Sequence, residues 1–257
     1  MTTRFDRRDA LKVAAGICVG SFARVSADEP TTAGLVEGHA EAAKAGAAVL
    51  AAGGNAVDAV VAGALATAVA APHLCGPGGY GGHLVVATPD GKVTAIDFNS
   101  AAPAAATPDM FPLAANGGVQ GQINFYGWKA SGVPGTLAGL QLALDRFGTK
   151  KLGDVCESAI RLARDGFTVI PGMANALRAA RVRLAKDPGS AALYFANGEP
   201  PAANSRTTNP DLAAMLETLA RRGSVESFYR GDIAVKIAAA FKANGGLVTA
   251  ADMAAYR

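Results

Sequence analysis

The stretch from Pro72 to Gly82 carries five glycines in eleven residues, and so bare a backbone can approach a phosphate closely. Gly76, Gly78 and Gly81 match the pattern G-x-G-x-x-G. In dinucleotide-binding proteins a strand precedes this pattern and a helix follows it, because the helix N-terminus holds the pyrophosphate. Here an apolar helical run precedes and an alternating run follows. We therefore predict a tight link between a buried helix and a central strand, with another kind of phosphate loop as the weaker alternative.

Histidine and cysteine are the usual zinc ligands, and this chain has three of each. His39, His73 and His83 are not spaced as a ligand set with the cysteines, so the sequence predicts no metal site. Cys75 and Cys156 are too few for a disulfide framework. They could pair in an oxidising compartment, but we favour two separate thiols that are partly or wholly buried.

The first 27 residues predict a twin-arginine export signal. Arg7 and Arg8 are followed by an apolar run over residues 13–22 and by the small residues Ser26 and Ala27. That run is about ten residues long, too short to span a bilayer. A buried N-terminal helix is the alternative, and the directional order favours the signal. We expect export by the twin-arginine route to the periplasm or cell exterior, no stable membrane insertion, and one mature domain over residues 28–257.

Removal of the signal changes the charge balance. The signal holds five of the 24 basic residues and two of the 21 acidic residues, which leaves 19 of each sign in the mature chain. A neutral chain argues against a nucleic-acid partner. We interpret the basic cluster of Arg178, Arg181, Arg183 and Lys186 as a solvated helix face.

The hydrophobic pattern predicts a helix pair, then a hairpin, then a block of helices. Residues 39–52 form the first helix, and Asn55 caps a second, buried helix with Asp58 near its positive end. Residues 84–87 and 93–98 flank a Pro-Asp-Gly turn and predict a β-hairpin. The remaining helices are expected to begin at Pro134 and to lie near residues 153–165, 172–186, 210–222 and 226–243. This order is typical of an α+β or layered αβ domain.

Several short motifs follow one another from about residue 34 to residue 257. They are Gly53–Ala59, Pro72-His73, Gly76 with Gly78-Gly79, Ile96–Phe98, Ala102-Pro103, Gly132–Gly135, Asp165–Phe167, Phe228–Gly231 and Ala255–Arg257. In this order they resemble the large subunit of the γ-glutamyltransferase, or glutathione hydrolase, family. The number of separate motifs makes this resemblance far more specific than a single glycine pattern.

The resemblance implies an N-terminal-nucleophile hydrolase with a four-layer αββα architecture, of which this chain holds only the large-subunit part. Such enzymes cleave their own precursor and expose a threonine. Its hydroxyl attacks the γ-glutamyl amide of glutathione-like substrates while its own amine acts as base. The acyl group then passes to water or to an amino acid. The resemblance implies no metal or organic cofactor, and its partners are a small amide substrate and a C-terminal half.

The family's nucleophile lies in a downstream threonine-led segment, and these 257 residues hold no such segment. The pair Thr207-Thr208 is followed by Asn209 and Pro210, which predicts a loop before a helix. The oxyanion-hole glycines are also downstream in the family. The sequence stops before the large subunit of the family would be complete. We therefore assign no catalytic residue here and expect this chain to be inactive by itself.

A second departure concerns the arginine with which the family's large subunit grips the substrate α-carboxylate. The matching residues are Asp97, Phe98, Asn99 and Ser100, so Asn99 stands at the arginine position. A charge-assisted hydrogen bond contributes about 1.5–3 kcal/mol, against about 1 for a neutral one. We expect roughly tenfold or weaker recognition of a free α-carboxylate unless another cation compensates. Asn99 and Ser100 are the candidate substrate-binding residues, with a simple strand-end role for Asn99 as the open alternative.

Three functions stay open on the sequence alone. They are a γ-glutamyltransferase-like enzyme part, a related acylase with another acyl specificity, and a non-catalytic scaffold or binding relic. Strands of both halves interleave in the resembling fold, so a chain left alone would expose strand edges and should aggregate or need a partner. His73 could face the site, Asp97 could orient Asn99 or simply end the strand, and the aromatic residues Phe125, Tyr126 and Trp128 could line a pocket. We favour a packed loop position for His73 and a core position for the aromatic cluster.

Overall fold

The computed structural model describes residues 34–257, and the predicted export signal lies outside the described residues. The helices are α1 (Ala40–Ala51), α2 (Ala56–Ala70), α3 (Thr136–Phe147), α4 (Leu152–Asp165), α5 (Pro171–Leu184), α6 (Pro188–Tyr194), α7 (Pro210–Arg222), α8 (Glu226–Arg230), α9 (Asp232–Ala243) and α10 (Ala250–Ala255). The strands are β1 (His83–Ala87), β2 (Val93–Asp97), β3 (Phe167–Thr168) and β4 (Arg206–Thr207).

Helix α2 lies at the centre of the hydrophobic core, where it packs against α1, α3 and α4. Its residues Val61 and Leu65 are at most 2% exposed. Helix α1 approaches closely because Gly63 faces it: an added Cβ would lie 3.2 Å from the carbonyl oxygen of Ala42. Helix α4 packs in turn on α7. The prediction of a buried second helix is confirmed.

The start of α2 is fixed by a buried carboxylate. The Asn55 side chain accepts hydrogen bonds from the backbone N–H groups of Val57 and Asp58, and Asp58 Oδ2 accepts from the Asn55 N–H at 2.8 Å. Asp58 is fully buried and also accepts from the Thr149 N–H, the Thr149 hydroxyl and the Lys150 N–H. Burial alone would raise the pKa of Asp58, but these hydrogen bonds outweigh it and lower the pKa.

Strands β1 and β2 form the predicted hairpin, with His83 opposite Asp97. Ile96 faces the core and is 4% exposed, whereas Val85 and Val93 face outward and are 67% and 66% exposed. Within residues 34–257, β1 pairs with β2 alone and β3 with β4, so the expected central position of β1 in a larger sheet is not seen. The described residues therefore show only part of the layered αββα arrangement.

The glycine-rich link between α2 and β1 has the helix-before, strand-after order that argued against a dinucleotide site. At Gly81 the backbone has φ +87°, and an added Cβ would lie 1.9 Å from the carbonyl oxygen of Phe98. The close approach of two backbones is therefore confirmed at Gly81. Gly76 and Gly78 have nothing within 4 Å of an added Cβ, so this explanation does not extend to them.

Two helix predictions were wrong in detail. Helix α3 begins at Thr136 rather than at Pro134, whose carbonyl oxygen accepts a hydrogen bond from the Tyr229 hydroxyl. The single helix predicted over 226–243 is two helices, α8 and α9, separated by the extended residue Gly231. An added Cβ at Gly231 would lie 2.7 Å from the Cα of Ser227, so only glycine fits between the two helices.

Of the smaller predictions, some are confirmed and others were wrong. Helices α6 and α10 were not predicted. Thr207 lies in β4 rather than in a loop, while Asn209 does precede a helix and caps α7 by accepting from the Leu212 N–H at 3.0 Å. Cys75 and Cys156 are separate thiols as expected, but Cys75 is exposed and only Cys156 is buried. Burial raises the pKa of the Cys156 thiol to about 12.

Candidate substrate-binding groove

An open groove with a volume of about 670 Å³ lies where β2 ends, and it is called here the Asn99 groove. Its polar lining residues are Asp97, Asn99, Ser100, Asp252, Tyr256 and Arg257. Asn99 and Ser100, the two residues singled out from the sequence, are both half-buried and lie side by side in it. Ser100 also lines a neighbouring hollow with Lys129 and Ser131.

The chain after β2 is held in an extended conformation by backbone hydrogen bonds. Ser100 N–H donates to the Tyr80 carbonyl at 2.7 Å, and Ala101 exchanges two hydrogen bonds with Val133, at 3.1 and 2.8 Å. Ser100 follows Asn99 directly, so both side chains are presented by a fixed backbone. A binding group on a fixed backbone loses little entropy when the ligand arrives.

The Gly-Val-Pro-Gly motif has a steric reason to contain glycine. An added Cβ at Gly135 would lie 2.0 Å from the Phe98 carbonyl oxygen and 2.1 Å from the Tyr256 hydroxyl. A Cβ at Gly139 would lie 2.1 Å from the Phe98 ring. The two glycines thus make room for Phe98, whose buried side chain anchors the strand end just before Asn99.

A pair of tyrosines holds the strand end from the other side. The Tyr256 hydroxyl donates to the Asn99 carbonyl oxygen at 2.6 Å, and its ring stacks on Tyr229 with centroids 5.7 Å apart. Tyr229 itself donates to the Pro134 carbonyl oxygen at 2.9 Å. Burial raises the pKa of Tyr256, and the nearby Asp97 carboxylate raises it further. The phenol therefore stays protonated as a donor, and the backbone of Asn99 is fixed.

The Asn99 side chain is held by a histidine that sequence reasoning did not select. Asn99 Nδ2 lies 3.0 Å from His83 Nε2, and the Asn99 N–H donates to Asp97 Oδ1 at 3.0 Å. His83 Nε2 lies 3.7 Å from the same Asp97 oxygen. Asp97 thus both ends the strand and supports Asn99. His83 could have been found from the hairpin register. That register places His83 opposite Asp97, and Asn99 lies only two residues after Asp97 along the chain.

The groove has one cation among its lining residues, and it does not come from the strand end. The guanidinium of Arg257 donates to the carbonyl oxygens of Ala254 and Tyr256, at 2.9 and 2.8 Å. Asp252 is committed to structure, since it accepts from the Ala104 N–H at 2.8 Å and from Thr249. Asn99 and Ser100 therefore offer neutral hydrogen-bonding groups, and Arg257 offers a positive charge nearby.

The remaining polar candidates do not join this groove. His73 lies in another hollow with Cys75, and its Nδ1 is buried without a hydrogen-bond partner. Burial lowers the pKa of His73, and His39 lowers it further. No three of the His, Cys, Asp and Glu side chains in residues 34–257 are grouped to hold a metal ion. In the same residues, no helix is both long and apolar enough to cross a membrane.

Solved structures identify the class of fold to which this chain belongs. The crystal structure of Helicobacter pylori γ-glutamyltranspeptidase superposes with a TM-score of 0.82 at 36% sequence identity. The match covers 89% of this chain and 65% of that chain. The chain therefore has part of the αββα fold of the N-terminal-nucleophile hydrolases, and the predicted fold class is confirmed.

The sequence comparisons give the family within that class. The family model described as Gamma-glutamyltranspeptidase matches residues 42–257. The chain belongs to the γ-glutamyltranspeptidase family, as its motifs predicted. The glutathione hydrolase proenzyme of Escherichia coli (strain K12) is 42% identical over 219 residues, which are 85% of this chain and 37% of that protein. The acylase ACY 1 proenzyme of Pseudomonas sp. (strain V22) is 39% identical over 229 residues, which are 87% of this chain and 40% of that protein.

The chain thus spans about 37–40% of the length of these two relatives. One is named as a hydrolase of glutathione and the other as an acylase, and both are similar to this chain over nearly the same share of its length. The family is therefore shown, and the names of these two relatives describe two different activities.

Proposed function

We propose that this chain forms the acyl-binding wall of an N-terminal-nucleophile amide hydrolase and acyl transferase. The observation that carries the proposal is the position of Asn99 and Ser100 at the end of β2, in an open groove. Asn99 stands where the resemblance to the family places the arginine that binds the substrate. The groove is supported on a backbone fixed by Tyr256 and by the Ala101–Val133 pairing.

In this function the nucleophile comes from a catalytic part of the enzyme that the 257 residues do not include. A threonine hydroxyl attacks the amide carbonyl, its proton passes to the threonine amine and then to the departing amine, and an acyl ester remains. Water or an amino acid takes the acyl group from that ester. This chain contributes by binding and orientation: the Asn99 amide and the Ser100 hydroxyl hydrogen-bond the polar end of the acyl group.

We propose that the preferred acyl group is one whose recognition does not depend on a charge at residue 99. The Asn99 amide is neutral and is engaged with His83. This observation favours the acylase-like specificity over strict recognition of a γ-glutamyl α-carboxylate. Arg257 is the alternative source of charge, because it lines the same groove.

The test compares two substrates on the assembled enzyme, γ-glutamyl-p-nitroanilide and its α-carboxamide analogue. We expect kcat/KM to differ by less than about tenfold in the wild type. The Asn99→Arg variant should then favour the carboxylate by at least a further tenfold, whereas Asn175→Arg, which makes the same substitution at an exposed position of α5 outside the groove, should not. Equal discrimination by Asn99→Arg and Asn175→Arg would refute binding at residue 99.

A third variant decides the source of charge. If the wild type already prefers the α-carboxylate strongly and Arg257→Gln removes that preference, the charge has moved from residue 99 to residue 257 and the enzyme is γ-glutamyl-specific. If Arg257→Gln leaves discrimination unchanged, the neutral Asn99 groove determines specificity. Loss of folding in Arg257→Gln is checked by its circular dichroism and by its recovery with the catalytic part.

We further propose that a catalytic part covers the outer face of the hairpin, where Val85 and Val93 are exposed. N-terminal sequencing and intact-mass measurement of everything that co-purifies with the chain test whether such a part associates with it. A polypeptide that begins with threonine supports the proposal. Recovery of the chain as a monomer that unfolds cooperatively without any such polypeptide would favour a non-catalytic scaffold instead.

The cellular location is proposed from the sequence, as export by the twin-arginine route to the periplasm or beyond. Replacing both arginines in the variant Arg7→Lys/Arg8→Lys should retain the protein in the cytoplasm with its N-terminal segment uncleaved. Fractionation and N-terminal sequencing measure both effects. Unchanged export and cleavage in this variant would contradict the twin-arginine route.

A further inference from the structure

A second cleft, with a volume of about 550 Å³, lies between the loop 121–131, the end of α5 and helix α9. It is called here the Trp128 cleft. Its lining includes Gln122, Tyr126, Trp128, Arg183, Lys186 and Phe241. It shares no lining residue with the Asn99 groove. Its volume is in the range of small-molecule sites.

The walls of this cleft are aromatic. Trp128 meets Phe241 edge to face, with ring centroids 5.2 Å apart and planes at 88°. Tyr126 is 41% exposed and its neighbour Phe125 is 71% exposed. The prediction that these aromatic residues form a core is therefore wrong for Phe125 and Tyr126. Phe125 lies outside the cleft, whereas the Tyr126 ring lines it and is presented to solvent, as expected of a surface that receives a ligand.

Arg183 brings a positive charge to these walls. Its guanidinium lies over the Tyr126 ring, 4.1 Å from the centroid, and it donates weakly to Gln122 Oε1 at 3.4 Å. Within residues 34–257 neither Arg183 nor Lys186 has a carboxylate within ion-pair distance. Asp187, which also lines the cleft, already accepts from the Ser190 N–H at 2.7 Å.

The other arginines of the same helix behave differently. Arg181 is paired with Glu199 at 2.6 Å, and Arg178 donates to Asn175 at 2.8 Å. Interpreting the whole cluster as a solvated helix face is therefore incomplete, because Arg183 is folded onto an aromatic ring. A guanidinium stacked in this way keeps its edge free for a carboxylate, which it can bind through two parallel hydrogen bonds.

The loop that forms this cleft needs glycine at several positions. Gly121 and Gly127 have φ of +63° and +87°, a conformation that side-chain-bearing residues rarely adopt. The Tyr126 N–H donates to the Gln122 carbonyl at 3.1 Å. An added Cβ at Gly246 would lie 2.4 Å from the Phe241 ring and 3.0 Å from the Trp128 carbonyl oxygen, so a glycine is needed for these walls to meet.

We propose that the Trp128 cleft binds a small planar aromatic carboxylate. The ring of such a ligand would pack against the aromatic walls, and its carboxylate would be bound by Arg183 with support from Lys186. Arg183, which lies over the Tyr126 ring, and Lys186, which lines the same cleft, have no carboxylate partner among residues 34–257, so the cleft complements this chemistry on both counts. A neutral aromatic molecule would lack the ion pair with Arg183, and an aliphatic carboxylate would lack the stacking against the aromatic rings.

Trp128 provides the experiment, because it is the single tryptophan of the chain. Benzoate is titrated into the full chain, in the form in which it is purified, and binding is measured by ligand-observed NMR and by Trp128 fluorescence. Benzamide serves as the neutral probe and acetate as the non-aromatic one. If a co-purifying polypeptide also contains tryptophan, the Trp128→Phe variant identifies the part of the signal that belongs to the cleft.

We expect benzoate to bind at least about fivefold more tightly than benzamide or acetate and to quench Trp128. Arg183→Gln should weaken benzoate binding by about fivefold to tenfold and leave benzamide unaffected. Arg178→Gln, the same change on the same helix outside the cleft, should have no effect. Equal affinity for benzoate and benzamide, equal behaviour of the two glutamine variants, or no binding at all would each overturn the proposal. If another polypeptide covers the cleft, no benzoate binding will be observed, and the proposal is then overturned.

Discussion

Helix α2 and the β1–β2 hairpin are consecutive elements of the chain, yet they are stabilised in opposite ways. In α2 even the one charged residue, Asp58, has no solvent exposure and has all its hydrogen bonds within the fold. The hairpin buries Ile96 on one face and leaves Val85 about two-thirds exposed on the other. The comparison indicates that α2 is buried on most of its surface by neighbouring elements, with Val60 still 43% exposed, whereas the hairpin leaves one whole apolar face exposed.

The largest effect is expected at the buried carboxylate. Asp58→Asn replaces an oxygen that accepts hydrogen bonds by an NH₂ group facing backbone donors, and it should lower the free energy of unfolding by about 3 kcal/mol. Asp154→Asn is the matched control, because Asp154 accepts from the Lys151 N–H at the start of α4 but is exposed. It should cost about 0.5 kcal/mol. Urea denaturation measures both, and equal losses would show that burial of Asp58 is unimportant.

The same carboxylate predicts a pH dependence. Its pKa is lowered in the folded protein, so the unfolded chain binds the proton more readily and stability rises with pH across that interval. The stability from Asp58 should be fully present above its unfolded pKa and be lost as the pH falls through its lowered folded pKa. The difference in unfolding free energy between wild type and Asp58→Asn should therefore shrink below about pH 4. A difference that stays constant on acidification would contradict the assignment.

A smaller effect is expected where the hairpin meets the strand end. Gly81→Ala adds both a strained φ and a collision with the Phe98 carbonyl oxygen, and should cost about 2 kcal/mol. Gly91→Ala, in the hairpin turn, has a φ of +82° but open space around the new Cβ. It should cost about 1 kcal/mol from conformation alone. Thermal unfolding of the two variants separates collision from strain, and indistinguishable losses would mean that the backbone relaxes at Gly81.

The smallest change in stability is expected on the exposed face of the hairpin. In the chain alone, Val85→Thr and Val93→Thr should each change stability by less than about 0.5 kcal/mol, because both side chains are exposed. Val61→Thr in α2 should cost about 2 kcal/mol, because it buries a hydroxyl. If a further polypeptide covers the hairpin, the two hairpin variants should weaken that association. Unchanged association would show that the exposed face is not the contact.

The sequence predicted the parts of the fold that depend on local pattern. The cap at Asn55, the burial of α2 and the hairpin follow from residue types and periods of a few residues. The break at Gly231 was missed because a single glycine in a helical pattern does not by itself indicate a break, and the close approach of Ser227 that excludes a side chain there is not visible in the sequence. Helix α10 was missed because it is only six residues long, although Thr249 and Asp252 form a capping box at its start.

The candidate site, too, could be predicted only in part from the sequence. Asn99 and Ser100 could be found because a motif surrounds them, and the structure places both in one groove. His83 could not be assigned to Asn99 without the strand register, and Arg257 could not be assigned to the groove without the packing of the two tyrosines. Contacts between residues far apart in the chain depend on tertiary packing that no local pattern specifies.

The hydrogen bond from Tyr256 to Asn99 joins residues 157 positions apart, which has a consequence for the order of folding. A hairpin can form in about 1–10 μs once its residues are synthesised. At about 5–20 residues per second, the ribosome adds Tyr256 roughly 8 to 30 s after Asn99. The end of β2 therefore lacks its hydrogen bond to Tyr256 while these residues are synthesised, long after the hairpin itself can form.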